Sequence, residues 1–245
     1  IEHQVLGYAV SSIQHRGWLY FVYDIGTGDL ANNYYNNGSH CLYRIKLDGS
    51  GTKECIANLE VGGNYQFLHM IGVGSYVYYI LPDAEGFGEV YRFNTEALVN
   101  EKMDLGTITE ENFCVMGNQI LYKKDWESFE LYSYDTETGK ERLFVDLKNK
   151  INYELCRNIM LTDGTYIYVY CYDEDEKNGY HYIVLDKTGK VTADVNTGNE
   201  IGYHYGGGKD YMLYIPATSG AADIRFFRKE LIGTKQGVLE MEGPR

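Results

Sequence analysis

The carboxylates are the first residues of this chain with chemistry to offer. The sequence holds 35 Asp and Glu against 22 Lys and Arg, a formal net charge of −13. Glycoside hydrolysis needs two carboxylates flanking the scissile bond. The apolar stretches Phe67-Leu-His-Met-Ile and Phe113-Cys-Val-Met, where such a pair would converge, carry none. Asp173-Glu-Asp-Glu-Lys has oxygen ligands for Ca²⁺ but lacks the glycine and closing glutamate of a dedicated calcium loop, and reads as a solvated hairpin tip. The six His (His3, His15, His40, His69, His181 and His204) show no ligand spacing; His69 and His204 fall where inner strands would line a channel. The five Cys (Cys41, Cys55, Cys114, Cys156 and Cys171) include no CxxC and sit in apolar strand patterns, as buried thiols would. Cys41 and Cys55 are the single disulfide candidate, because one hairpin could bring them face to face. GxSxG, P-loop and HExxH signatures are absent. Gly206-Gly-Gly reads as a turn, since no helix follows it to complete a phosphate cradle. No enzymatic activity, cofactor or metal is expected.

Binding chemistry is better represented. The stretch Asp24 to His40 reads DIGTGDLANNYYNNGSH, and its Asn32, Asn33, Tyr34 and Tyr35 are the residue types of adaptable recognition surfaces. Loops of this length are commonly functional or mobile. Trp126 stands in a separate loop and offers a ring on which a sugar could stack; Phe87 and Phe129 read as caps over sheet edges. These residues point to a protein or glycan partner. The acidity argues against nucleic acid, which calls for a basic footprint. No apolar run approaches the roughly 20 residues that span a bilayer as a helix.

The elements that must carry these loops are strands. Tyr contributes 25 residues and Gly 28, against 3 Pro; tyrosine suits a pleated surface with one wet side, and glycine with Asn and Asp makes the turns. One pattern recurs five times. Trp18-Leu-Tyr-Phe, Tyr76-Val-Tyr-Tyr, Gln119-Ile-Leu-Tyr, Tyr166-Ile-Tyr-Val and Tyr211-Met-Leu-Tyr each follow a glycine by a few residues. A partner strand comes after each: Leu42-Tyr-Arg-Ile, Val90-Tyr-Arg-Phe, Leu131-Tyr-Ser-Tyr, His181-Tyr-Ile-Val and Ile224-Arg-Phe-Phe. Turn residues close the first four, beginning at Asp48, Asn94, Asp135 and Asp186; the fifth has Arg228-Lys-Glu-Leu-Ile-Gly instead. With a first strand before each glycine and a fourth after each turn, the unit is four strands in about 45 residues, the signature of a propeller blade. A lone meander cannot bury both faces, whereas stacked blades can. The expected fold is therefore all-β: a single β-propeller domain over 1–245 with five four-stranded antiparallel blades at about 9–59, 65–105, 112–147, 157–195 and 202–241, or six if a further blade lies upstream. One helical turn is expected near 95–102.

Leu42-Tyr-Arg-Ile-Lys-Leu-Asp-Gly-Ser after Trp18-Leu-Tyr-Phe resembles the bacterial DUF5050 propellers, which are distantly similar to the YWTD propellers of the low-density lipoprotein receptor group. A literal YWTD is absent. The resemblance implies a propeller that binds or scaffolds, often on an exported bacterial protein, and it supplies no catalytic residues; a monomer is expected. A lectin-like five-bladed glycan binder and a glycosidase are the alternatives.

Propeller connectivity sorts the loops. Those between second and third strands share a face with the connections between blades, and the tight turns lie opposite. Most of the acids fall on the first face by this sorting, among them Glu89, Asp104, Asp125, Glu130, Asp146 and Asp194, with Lys148 and Lys150 among its few bases. That face is expected to attract a cationic or cation-bridged partner.

Overall fold

A computed structural model of the chain describes residues 9–25, 39–59, 70–82, 87–109, 113–125, 128–151, 154–172, 179–198, 202–205, 210–216, 225–234 and 238–240. It divides into two compact units, Ile1–Glu110 and Glu111–Arg245.

The first unit holds two four-stranded antiparallel meanders. One is β1 (Ala9–His15), β2 (Trp18–Ile25), β3 (Ser39–Lys46) and β4 (Lys53–Leu59); the other is β5 (Met70–Val73), β6 (Tyr76–Pro82), β7 (Phe87–Asn94) and β8 (Val99–Thr109). The second unit opens with a third meander, β9 (Phe113–Met116), β10 (Gln119–Tyr122), β11 (Glu130–Asp135) and β12 (Glu141–Asp146). Its next sheet is β13 (Glu154–Thr162), β14 (Tyr166–Tyr172), β15 (Tyr180–Asp186) and β16 (Val191–Gly198), and its last is β17 (Gly202–Tyr205), β18 (Tyr211–Pro216) and β19 (Arg225–Arg228). A final strand, β20 (Val238–Glu240), follows a 3-10 turn at Lys229–Leu231.

The repeated sequence signals are turn chemistry. The glycine ahead of the second strand in each of the first four sheets takes a left-handed backbone, as at Gly17 (φ 79°) and Gly117 (φ 63°), which a residue with a Cβ adopts only at a cost. The Asp or Asn after the third strand of each of the first four sheets folds its carboxylate or amide oxygen back onto the turn. Asp48 Oδ1 accepts from the Ser50 N–H, Asn94 Oδ1 from Glu96 and Ala97, and Asp135 Oδ1 from Glu137 and Thr138. These are Asx turns, so the Asp-Gly-Ser run is spent on structure.

One turn breaks the rule. In the β11–β12 turn Gly139 (φ 68°) donates to the Asp135 carbonyl at 2.9 Å; in the β7–β8 turn Leu98 (φ 57°) donates to the Asn94 carbonyl at the same distance. The left-handed backbone costs a leucine about 1–2 kcal/mol, and its side chain is 57% exposed, so little packing offsets that cost. Leu98→Gly is expected to raise stability by about 0.5–1 kcal/mol once glycine's entropy is subtracted. The check is the urea midpoint; an unchanged or lower midpoint means the leucine makes a contact that matters.

Each unit buries its aromatic faces between neighbouring sheets. Tyr20 and Leu42 pack with Met70, Val77, Tyr79 and Phe93 in the first unit. There the inner strands come close enough that a Cβ on Gly72 would stand 2.5 Å from the His15 ring. In the second unit Tyr168, Tyr170, Tyr182, Val184 and Val195 pack with Phe227 and Ile232. Three of the buried tyrosines have bonded hydroxyls: Tyr79 to Asn100 Oδ1 at 2.9 Å, Tyr168 to Asp163 Oδ2 at 2.7 Å and Tyr122 to Glu141.

Several expectations are corrected. Residues 95–98 form a tight turn and 99–109 belong to β8, so there is no helical turn at 95–102. The 237–241 segment does not complete the last sheet as its fourth strand. Instead β20 pairs in parallel with β16, Val195 opposite Leu239. The reason lies in the degenerate fifth turn: lacking the Asp or Asn cap, the chain winds into the 3-10 turn, where Lys229 N–H bonds the Asp210 carbonyl and Ile232 is buried against the β14–β16 sheet. A hairpin back along β19 is thereby replaced by a crossing to β16. The Cys41–Cys55 disulfide is also excluded. A register shift after Leu42 sets Cys41 opposite Asn58 and Cys55 opposite Tyr43, and Cys55 keeps its thiol. Cys55 is exposed, not buried, while Cys114 and Cys171 are buried thiols as expected.

Candidate functional site

The strands that deliver the candidate loop are firmly laddered. β2 and β3 pair without interruption from Trp18↔Lys46 to Asp24↔His40 and Ile25↔Ser39. Tyr20 and Leu42 in the middle of that pair are fully buried, so the register is set by the core and not by the loop. The connection they carry spans 26–38, against 83–86 for β6–β7, 123–129 for β10–β11, 173–179 for β14–β15 and 217–224 for β18–β19. Asn32, Asn33, Tyr34 and Tyr35 lie in this connection and Trp126 in the β10–β11 one; all five are outside the described residues, as is the acidic tip 173–178. His69 is outside them too, and His204 sits on β17.

The strand ends below these loops are occupied by charge networks. Glu89 bonds Lys102 and accepts from the Tyr91 hydroxyl at 3.4 Å. Glu141 takes the Lys124 ammonium at 2.6 Å and the Tyr122 hydroxyl; those two donors hold its carboxyl below the usual range, against a smaller opposing effect of burial. Glu130 accepts from the Tyr132 hydroxyl at 2.6 Å. Asp194 meets the buried His181 Nδ1 at 2.7 Å. Three of the acids that sequence assigns to the face of the second-to-third-strand loops, Glu89, Glu130 and Asp194, are therefore tied into the protein, while Asp104, Asp125 and Asp146 are exposed. Among the described residues no group of three or more His, Cys, Asp or Glu is placed to hold a metal ion, and no helix is long and apolar enough to cross a membrane.

The two-face sorting fails at one place in the second unit. It separates Lys150, in a connection between blades, from the 187–190 turn. The structure brings Lys150, Thr188, Gly189, Lys190 and Val191 around one open depression of about 440 Å³. Gly189 allows this: a Cβ there would stand 3.1 Å from both Phe144 O and Val145 Cβ. The sequence marks the run from Asp186 as a hairpin turn, and its lysines carry no signal beyond composition.

No protein-family model and no curated protein sequence matches the chain. Among solved structures it is similar to a post-proline cleaving enzyme from Rickettsia typhi, at 10% identity and TM-score 0.60 over 100% of this chain and 40% of that one. TolB from Acinetobacter baumannii is similar at 15% identity and TM-score 0.53, over 86% of this chain and 49% of that one. Regucalcin, a calcium-binding protein from Agrobacterium tumefaciens, is similar at 12% identity and TM-score 0.51, over 86% and 68%. The chain thus spans half or less of the first two proteins. These likenesses define the class of the fold: it is all-β and of the β-propeller type.

Proposed function

We propose that the chain is a non-enzymatic binding or scaffold propeller of five blades, of the DUF5050 type and exported from a bacterial cell, which engages a protein or glycan partner through the 26–38 connection. The observation that carries this reading is the division of labour around β2 and β3. Their side chains and ladder are consumed by the core, yet the connection they hold is longer than its counterparts and rich in Asn and Tyr. Recognition grafted onto loops above a rigid sheet is the general design of such sites. The five repeated strand pairs support the blade number, and the Leu42-Tyr-Arg-Ile-Lys-Leu-Asp-Gly-Ser run supports the family. A purely non-enzymatic role rests on the inner strands β5 (MIGV) and β9 (FCVM), which carry no carboxylate. Trp126 is a separate candidate contact in the second unit.

A glycan array read beside a thermal-shift screen with sugars, with and without Ca²⁺, tests the glycan branch. Saturable binding with a rise in melting temperature supports it. Hydrolysis of any arrayed glycan overturns the non-enzymatic reading, and a flat array leaves the protein branch as the reading to pursue by co-purification from a bacterial envelope fraction.

A further inference from the structure

Cations in this acidic chain are usually matched to a carboxylate, as Arg16 is to Glu96, Lys102 to Glu89 and Lys124 to Glu141. Among the described residues Lys140, Lys148, Lys150, Lys187 and Lys190 make no side-chain hydrogen bond, ion pair within 4.0 Å or ring contact, and Lys190 acts on Asp186 only through its longer-range field. Four of these five belong to two short segments, 148–150 after β12 and 187–190 between β15 and β16. The segments meet at the depression lined by Lys150, Thr188, Gly189, Lys190 and Val191.

What that depression can recognise follows from its donors. The 186–190 turn has spent its backbone. Asp186 Oδ1 accepts from the N–H groups of Thr188 and Lys190 and from the Thr188 hydroxyl, and Gly189 N–H bonds the Asp186 carbonyl. No concave set of N–H groups is left there to hold a phosphate. The remaining donors are ammonium groups on long flexible stems, compact charges without a fixed fork geometry. Among the described residues that line the depression there is no aromatic ring to stack on a sugar. Several separated carboxylates on an extended chain suit such an arrangement better than one small anion or a carbohydrate.

We propose that this depression is a docking site for an acidic peptide segment of a partner protein, held by Lys150 and Lys190. The contact is electrostatic and partly exposed, so it weakens with salt. The test is fluorescence polarisation of a dye-labelled octaglutamate peptide against the whole chain at about 0.02 M and about 0.15 M ionic strength. The parent is expected to bind, more weakly at the higher salt. The double variant Lys150→Gln/Lys190→Gln should lose at least about fivefold in affinity, which is about 1 kcal/mol, while Lys140→Gln, outside the depression, should bind as the parent does. Melting temperatures of all three proteins should agree, which separates lost binding from lost fold. No binding by the parent, an undiminished affinity in the double variant, or displacement of the peptide by equal concentrations of oligogalacturonate or inorganic phosphate would overturn the proposal.

Discussion

Asp163→Ala is expected to destabilise the second unit by about 1–3 kcal/mol, less than for a fully buried ion pair because the aspartate is partly open to water. Asp163 sits in the β13–β14 turn, and its Oδ2 is 2.7 Å from the Lys229 ammonium beyond β19; the two side chains are 17% and 9% exposed. The same carboxylate accepts from the Tyr168 hydroxyl and from the N–H groups of Thr165 and Tyr166. Alanine leaves a desolvated ammonium and a buried phenol without their acceptor. The double variant Asp163→Ala/Lys229→Met should recover part of the loss, because no charge is then stranded. If the double variant is no more stable than the single one, charge burial is not the cause.

The same residue gives a pH dependence. Burial disfavours the Asp163 carboxylate, but the Lys229 ammonium, the two amide N–H groups and the Tyr168 hydroxyl outweigh it, and the carboxyl lies below its ordinary value. A carboxyl depressed in the folded state stabilises fully above its unfolded value, near about 4. That stabilisation is lost as pH falls through the folded value. Urea midpoints measured downward from about pH 5 should fall more steeply in the parent than in the Asp163→Ala/Lys229→Met variant.

Arg44→Ala is the second large effect, expected to cost the first unit about 2–4 kcal/mol through lost packing and stacking. Arg44 is 4% exposed. Its guanidinium lies 4.0 Å from the centre of the Trp18 ring and 5.5 Å from that of Phe93, so it is held between a ring of the first sheet and one of the second. Its Nε donates to Glu54 at 2.7 Å and its Nη1 to the Thr95 carbonyl at 3.2 Å. Glu54 is itself partly in water, so the stranded carboxylate is a minor part of the cost. Arg44→Lys should recover little, because an ammonium has neither the planar face nor the fork that the site uses. Arg44→Met should recover more by refilling the volume. Thermal unfolding of the three variants decides this; lysine matching the parent would mean that charge alone matters.

The strands were legible from sequence because all five repeats keep the order of glycine, aromatic strand and partner strand, and the first four close it with an Asp or Asn turn. Trp18, Tyr76, Gln119, Tyr166 and Tyr211 all begin second strands as read. Where the signal degenerated, at Arg228-Lys-Glu-Leu-Ile-Gly, the reading failed too, and β20 crossed to β16. The Cys41 and Cys55 register was beyond reach, since a single shift after Leu42 decides it. The clamps were equally hidden. Arg44 and Lys229 look like ordinary surface cations in sequence, and only the approach of neighbouring sheets buries them. The depression at Lys150 and Lys190 joins segments far apart in the chain, so composition gave no hint of it.

The account rests on a separation between strands that hold the fold and a connection that holds the partner. Replacing 26–38 with a short Gly-Ser linker, then measuring melting temperature and partner binding on the same preparation, tests that separation most directly. The account predicts a melting temperature within about 2–4 °C of the parent, a change worth about 1 kcal/mol for a chain of this size, together with loss of binding. A variant that fails to fold, or one that still binds as the parent does, would contradict it.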